Sequence, residues 1–170
     1  NSALLLLKDL GAVGPVGSVT SLGRQMARLP LHPRLSRMML RAGELGCRSL
    51  GADLSALLSE RDILRRGNAG HINYAKEADI AERIDILRQW RKGNEVPDVA
   101  DPWALRTADK TSRQLIRLTS GKRDTEKRED PDLISILLLS GFPDRVAKLR
   151  EDGEGRFLMS QGRGVRLSPA

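Results

Sequence analysis

The stretch Ser21–Leu40, SLGRQMARLPLHPRLSRMML, constrains the fold most, because its prolines dictate where one helix stops and the next begins. Leu22, Met26 and Leu29 recur at i, i+4 and i+7, the apolar stripe of a short helix, and Pro30 has no amide with which to continue it. Pro33 suits the first turn of a second helix, in which Leu35, Met38, Met39, Ala42 and Leu45 form one stripe. Arg34, Arg37 and Arg41 fall on a second face of that helix. Upstream, Ser2 is placed to cap a helix carrying Leu4 to Leu7 and Leu10, with Gly11 where a left-handed C-terminal cap belongs. Val13 to Val19, VGPVGSV, reads as a tight β-hairpin or wing, and Thr20 caps the helix that follows. Helix, hairpin, helix is part of a winged helix.

The rest of the chain is mainly helical by the same periodicity. Residues 48–62, RSLGADLSALLSERD, predict an apolar helix with a charged tip, and 65–75, RRGNAGHINYA, a glycine- and asparagine-rich loop. A long helix over Lys76–Lys92 turns Ile80, Ile84, Leu87 and Trp90 inward, pairs Asp79 with Arg83, and closes at Gly93. Another begins at Asp101-Pro102 and buries Leu105, Ala108, Ser112 and Leu115. The run 121–130, GKRDTEKRED, has no apolar residue and is expected to be a solvated connector. A nearly wholly apolar helix restarts at Asp130-Pro131, and GFPDRVAKLRE (141–151) predicts one more helix from Pro143. Phe157, Met159, Val165 and Leu167 alternate about a glycine-flanked turn, the pattern of a β-hairpin whose sheet partners are expected beyond residue 170.

Several kinds of chemistry are excluded residue by residue. A phosphate-cradling loop, GxxxxGK[ST], fails at Gly121-Lys122, which Arg123 follows and which has Ile116 where the first glycine belongs. His32 and His71 have no cysteine or second histidine at metal spacing, so no metal site is expected. No serine lies in a G-x-S-x-G elbow, and the carboxylates are scattered at salt-bridge spacing, so the expected catalytic set is empty. The single cysteine, Cys47, is best read as a small buried hydrophobe. No apolar run is long enough to span a bilayer and the N-terminal stretch is no signal peptide, so a cytoplasmic location without membrane contact is expected.

Charge carries the functional signal. With 29 Lys and Arg against 22 Asp and Glu the chain bears +7, which favours a polyanionic partner. Aromatics are only 3% of residues, so backbone contacts are expected over base stacking. Two rows stand out: Arg34, Arg37 and Arg41, and the longer Arg106, Lys110, Arg113 and Arg117 at i, i+4, i+7 and i+11. Each places its cations along one helix face, where successive phosphates could meet them.

Residues 7–40, LKDLGAVGPVGSVTSLGRQMARLPLHPRLSRMML, resemble the C-terminal helicase-associated region of DEAH-box ATP-dependent helicases. Three further segments, ADLSALLSERD (52–62), GFPDRVAKLRE (141–151) and GRFLMSQGRGVRL (155–167), resemble the bacterial HrpB type. The resemblance implies the end of a winged helix at 1–30, a helical, ratchet-like bundle at 31–150, and at 151–170 a β-hairpin that begins an OB-fold-like region. It also implies two RecA-like motor domains preceding this segment, with ATP and Mg bound there and no cofactor here. The bundle would close one wall of a channel over single-stranded RNA or DNA, the longer arginine row supplying more of that wall. An independent winged-helix nucleic-acid-binding protein is the alternative, with residues 18–28 as recognition helix, although Arg24, Gln25 and Arg28 are few for base readout. A helical protein-interaction scaffold, its arginines facing only solvent, is a third possibility.

Overall fold

Helices form where the apolar stripes repeat, and each break falls at a proline, a glycine or a capping side chain. The computed structural model describes residues 2–65, 80–119, 132–150, 155–160 and 162–166. In chain order these residues form α1 (Ser2–Asp9), α2 (Ser21–Met26), α3 (Pro33–Leu45), α4 (Arg48–Ser59), α5 (Ile80–Arg91), α6 (Pro102–Leu118) and α7 (Asp132–Gly141). A single 3-10 turn (Pro143–Arg145) and three short strands follow, β1 (Ala147–Leu149), β2 (Arg156–Met159) and β3 (Gly164–Arg166). The chain divides into two compact units, Asn1–Arg41 with Asp130–Pro169, and Ala42–Glu129. Among the described residues no helix is long and apolar enough to cross a membrane. The loop expected at 65–75 (Arg65 apart), the connector at 121–130, His71, Asp79, the Asp130-Pro131 helix start and Leu167 lie outside the described residues.

In the first unit Leu10, Ala12 and Met26 make a small core, against which Leu6, Leu7, Leu22 and Leu40 pack. Gly11 sits at φ 73°, a left-handed conformation that ends α1 and lets the amides of Ala12 and Val13 both reach the Leu7 carbonyl, at 2.8 and 3.2 Å. The expected hairpin is present as an antiparallel bridge between Val13 and Val19. Thr20 then does two jobs with one hydroxyl: it accepts from the Gly23 amide at 2.9 Å and donates to the Gly11 carbonyl at 2.7 Å. Met26 and Leu29 are buried as their spacing requires, whereas Leu4 and Leu5 of α1 lie exposed.

The stretch after α7 departs from the expected helix. Pro143–Arg145 makes only a 3-10 turn, and Ala147–Leu149 is extended and pairs with β2. Two forces favour the strand. A helix over residues 146–149 would have a single apolar pair at i and i+3, Val146 and Leu149, to bury, and the backbone groups of β1 gain ladder partners in β2 instead. The C-terminal hairpin is therefore not a lone ribbon. It is part of a sheet ordered β1-β2-β3, with Leu149 opposite Phe157 and Phe157 opposite Val165. Phe157, Met159 and Val165 share its half-buried face, as their alternation predicts.

The second unit is built around α4. Every residue from Leu50 to Leu57 is buried, which the run of small and apolar side chains permits, and α6 and α5 pack on it. Ile84 and Leu87 of α5 are fully buried while Ile80 and Trp90 are half-buried; Ile86, not on the expected stripe, is buried too. Arg83 pairs with Asp62, Nη2 to Oδ2 at 2.8 Å, a partner outside its own helix. Residues 63–64 and 100–101 are tied by the Leu64–Ala100 bridge and by the Asp101 amide donating to the Ile63 carbonyl at 2.8 Å.

Candidate nucleic-acid interface

Helix α6 positions the longer basic row. Its start is fixed by Pro102 in the first turn and by the Asp101 carboxylate, which accepts from the amides of Trp103 at 2.9 Å and Ala104 at 3.4 Å. The Trp103 amide, above all, holds the Asp101 carboxyl below the usual carboxylate range; Ala104, Arg65 and Arg61 add to this against a smaller opposing effect of desolvation. Ala104, Leu105, Ala108, Ser112 and Leu115 point into the unit, so the helix cannot roll about its axis without exposing them. The opposite side is then obliged to carry Arg106, Lys110, Arg113 and Arg117, and all four are exposed.

Beneath that row an ion-pair network locks α4, α5 and α6 together. Asp53 of α4 is almost fully buried, and Arg91 of α5 binds it with both Nη atoms, at 2.9 and 2.8 Å, while the Ser112 hydroxyl donates to Asp53 Oδ1 at 2.6 Å. Arg91 Nε reaches Asp109 of α6 at 2.7 Å, and Arg113 Nε meets the other Asp109 oxygen at 2.9 Å. Burial works against the charged form of Arg91, but the hydrogen bonds and charges of Asp53 and Asp109 outweigh it and hold the guanidinium above its ordinary pKa. Arg113 thus leans toward an acid. Arg106, Lys110 and Arg117 have no carboxylate within ion-pair distance among the described residues.

The shorter row is placed differently. Arg34 is directed inward, its Nη1 and Nη2 binding Asp144 at 2.5 and 2.8 Å and Nη1 also donating to the Gly141 carbonyl at 3.1 Å. The guanidinium stacks over the Phe142 ring, 5.1 Å from its centroid. Arg37 and Arg41 are half-buried. The three therefore do not share the open exposure of the α6 row. His32 accepts from the Arg34 amide through Nδ1 at 3.3 Å, a local cap on α3. Six-residue α2 offers little to a groove, since Arg24 Nη1 is bonded to the Val19 carbonyl at 3.0 Å.

The hydrogen bond from Arg34, first of all, keeps the Asp144 carboxyl below its usual range, against the opposing effect of burial. A carboxyl with a lowered folded pKa contributes stability that is present above its unfolded value, about 4, and lost as pH falls through the folded one. Asp144→Asn is accordingly expected to lower Tm at pH 6, and the gap from wild type should close as pH drops from about 4 to 2. A gap that stays constant over that range would mean the pair contributes no acid-side stability.

Two features escaped sequence reasoning. Asp53, alone among small and apolar neighbours in LGADLSALL, signals a carboxylate in need of a buried partner, but Arg91 is 38 residues away and nothing in the sequence selects it. The pairing of Arg34 with Asp144, 110 residues on, has no local signal at all. Among the described residues no group of three His, Cys, Asp or Glu side chains could hold a metal ion.

Residues 3–31 match the family model described as helicase associated domain (HA2), winged-helix. The pre-mRNA-splicing factor ATP-dependent RNA helicase prp22 of Schizosaccharomyces pombe is 30% identical over 176 residues, covering 91% of this chain and 14% of that protein. The probable ATP-dependent RNA helicase DHR2 of Saccharomyces cerevisiae is 43% identical over 58 residues, covering 34% of this chain and 8% of that protein. The chain thus spans a small part of the relatives it matches. In fold it is similar to the Escherichia coli DEAH/RHA helicase HrpB, with a TM-score of 0.58 at 22% identity, covering 97% of this chain and 17% of that one. The HA2 match thus lies at the N-terminal end of the chain, the alignment with prp22 runs along most of it, and in sequence the chain is similar to the helicase-associated part of ATP-dependent RNA helicases.

Proposed function

We propose that this region grips single-stranded nucleic acid for an ATP-dependent helicase, with the α6 row of Arg106, Lys110, Arg113 and Arg117 lying along the phosphates. One observation carries the reading: a row of exposed cations, three of them with no carboxylate at ion-pair distance among the described residues, on a helix whose other face is locked into a packed core. Cations held in fixed spacing on a rigid element meet a polyanion with little ordering cost, and they contact phosphates without reading sequence. Hydrolysis of ATP, with its Mg, would belong to RecA-like motor domains of a longer protein, against which the winged portion at 1–30 docks. The likeness to the RNA helicases prp22 and DHR2 favours RNA as the strand.

Arg34 supports the fold through Asp144, so the grip does not need it. The test is affinity for a single-stranded oligonucleotide at low salt, using the full-length protein. Replacing Arg106, Lys110 and Arg117 with alanine should weaken binding at least tenfold. A control that removes the same charge at exposed Arg28, Lys92 and Lys148 should change it little. Equal losses in the two variants would refute the assignment to α6.

A further inference from the structure

Trp103 stands at the head of α6, 63% exposed, although tryptophan is among the costliest side chains to leave in water. It is not a core residue displaced from its place: the buried positions of α6 begin at Ala104 and Leu105. Its backbone position is fixed, because its amide is held by the Asp101 carboxylate and its carbonyl accepts from the Thr107 hydroxyl at 3.0 Å. At about 100° per residue, Trp103 lies about 20° around the helix from Lys110 and about 40° from Arg117. The ring therefore continues the cationic row by one further position toward the helix N-terminus, about 4.5 Å along the axis before Arg106.

We infer that Trp103 is a base-stacking platform at one end of the phosphate row, so that the strand is held by its backbone along α6 and by one base at Trp103. This rests on the proposed grip by Arg106, Lys110, Arg113 and Arg117. Charge complementarity selects the occupant: an exposed indole flanked along one helix face by cations, with no acid on that stripe from 103 to 117 except the already paired Asp109, matches a ligand that is anionic along its backbone and has flat apolar faces. A single strand is that ligand. Its bases are free to splay and stack, whereas those of a duplex are not. Stacking tolerates any base, in keeping with a contact that holds without reading sequence.

The experiment uses the full-length protein carrying Trp90→Phe, so that Trp103 reports within this region, and two single-stranded probes of equal length, one of normal nucleotides and one with abasic sugars. Trp103 emission should be quenched on binding the normal strand. Trp103→Ala should weaken that strand about tenfold with an unchanged salt slope, Trp103→Phe should restore most of the affinity, and the abasic strand should bind wild type and Trp103→Ala alike. Unquenched emission at saturation, or the same loss on both probes, would overturn the stacking role while the salt slope still reports on the cationic row. Absence of any salt-dependent binding would overturn row and platform together.

Discussion

Arg91→Ala is expected to destabilise the second unit by about 3–5 kcal/mol, because it strips the partner from a buried carboxylate. Asp53 has only 4% of its side chain accessible and would keep one hydroxyl contact, from Ser112. Arg113→Ala removes an ion pair from the same network, yet the Arg113 side chain is 64% exposed, and such pairs contribute about 0–1 kcal/mol. The contrast decides whether the network or surface charge holds α4, α5 and α6. Set against a typical domain stability of about 5–15 kcal/mol, the first loss should show as a large fall in the urea midpoint and the second should barely register. Replacing both partners, Asp53→Leu with Arg91→Met, should recover much of the loss, since an apolar pair leaves no charge stranded. Equal effects of Arg91→Ala and Arg113→Ala would contradict this picture.

Gly23→Ala provides the second large effect, and here two principles oppose each other. Helix propensity alone would make alanine better by about 1 kcal/mol within α2. But a Cβ at Gly23 would overlap the Ala12 carbonyl oxygen and press on Ala12 C and Cα at 3.0 and 3.1 Å, all backbone atoms that no rotamer change can move. Overpacking against an anchored backbone costs about 3 kcal/mol, so the clash wins. The substitution should also loosen the Thr20 cap, whose hydroxyl spans Gly23 and Gly11. Gln25→Ala, on the exposed side of the same helix, should be neutral or slightly stabilising; if Gly23→Ala matched it in a thermal melt, the close approach of α2 to Ala12 would be unsupported.

What was legible in the sequence follows the range of the forces involved. Caps and breaks are local, so Thr20, Pro33, Asp101-Pro102, Gly11 and Gly93 all mark element ends where their chemistry places them. Amphipathic faces are also local: Leu105, Ala108, Ser112 and Leu115 of α6 are all buried as their stripe predicts, with Ala104 buried beside them. Residues 143–149 were misread because a short stretch with little apolar pattern is decided by what it pairs with, here β2. The fate of the arginines is the least local property. Arg34 and Arg117 are indistinguishable as members of basic rows, and only the fold brings Asp144 to one and leaves the other exposed.

The claim that α6 grips phosphates is tested most directly by the salt dependence of single-strand binding. Each phosphate contact contributes about 0.7 to the slope of log K against log salt on a single strand. Alanine at Arg106, Lys110 and Arg117 should therefore flatten the slope by about 2, whereas the charge-matched control at Arg28, Lys92 and Lys148 should leave it where wild type has it. An unchanged slope in the α6 variant would contradict the account.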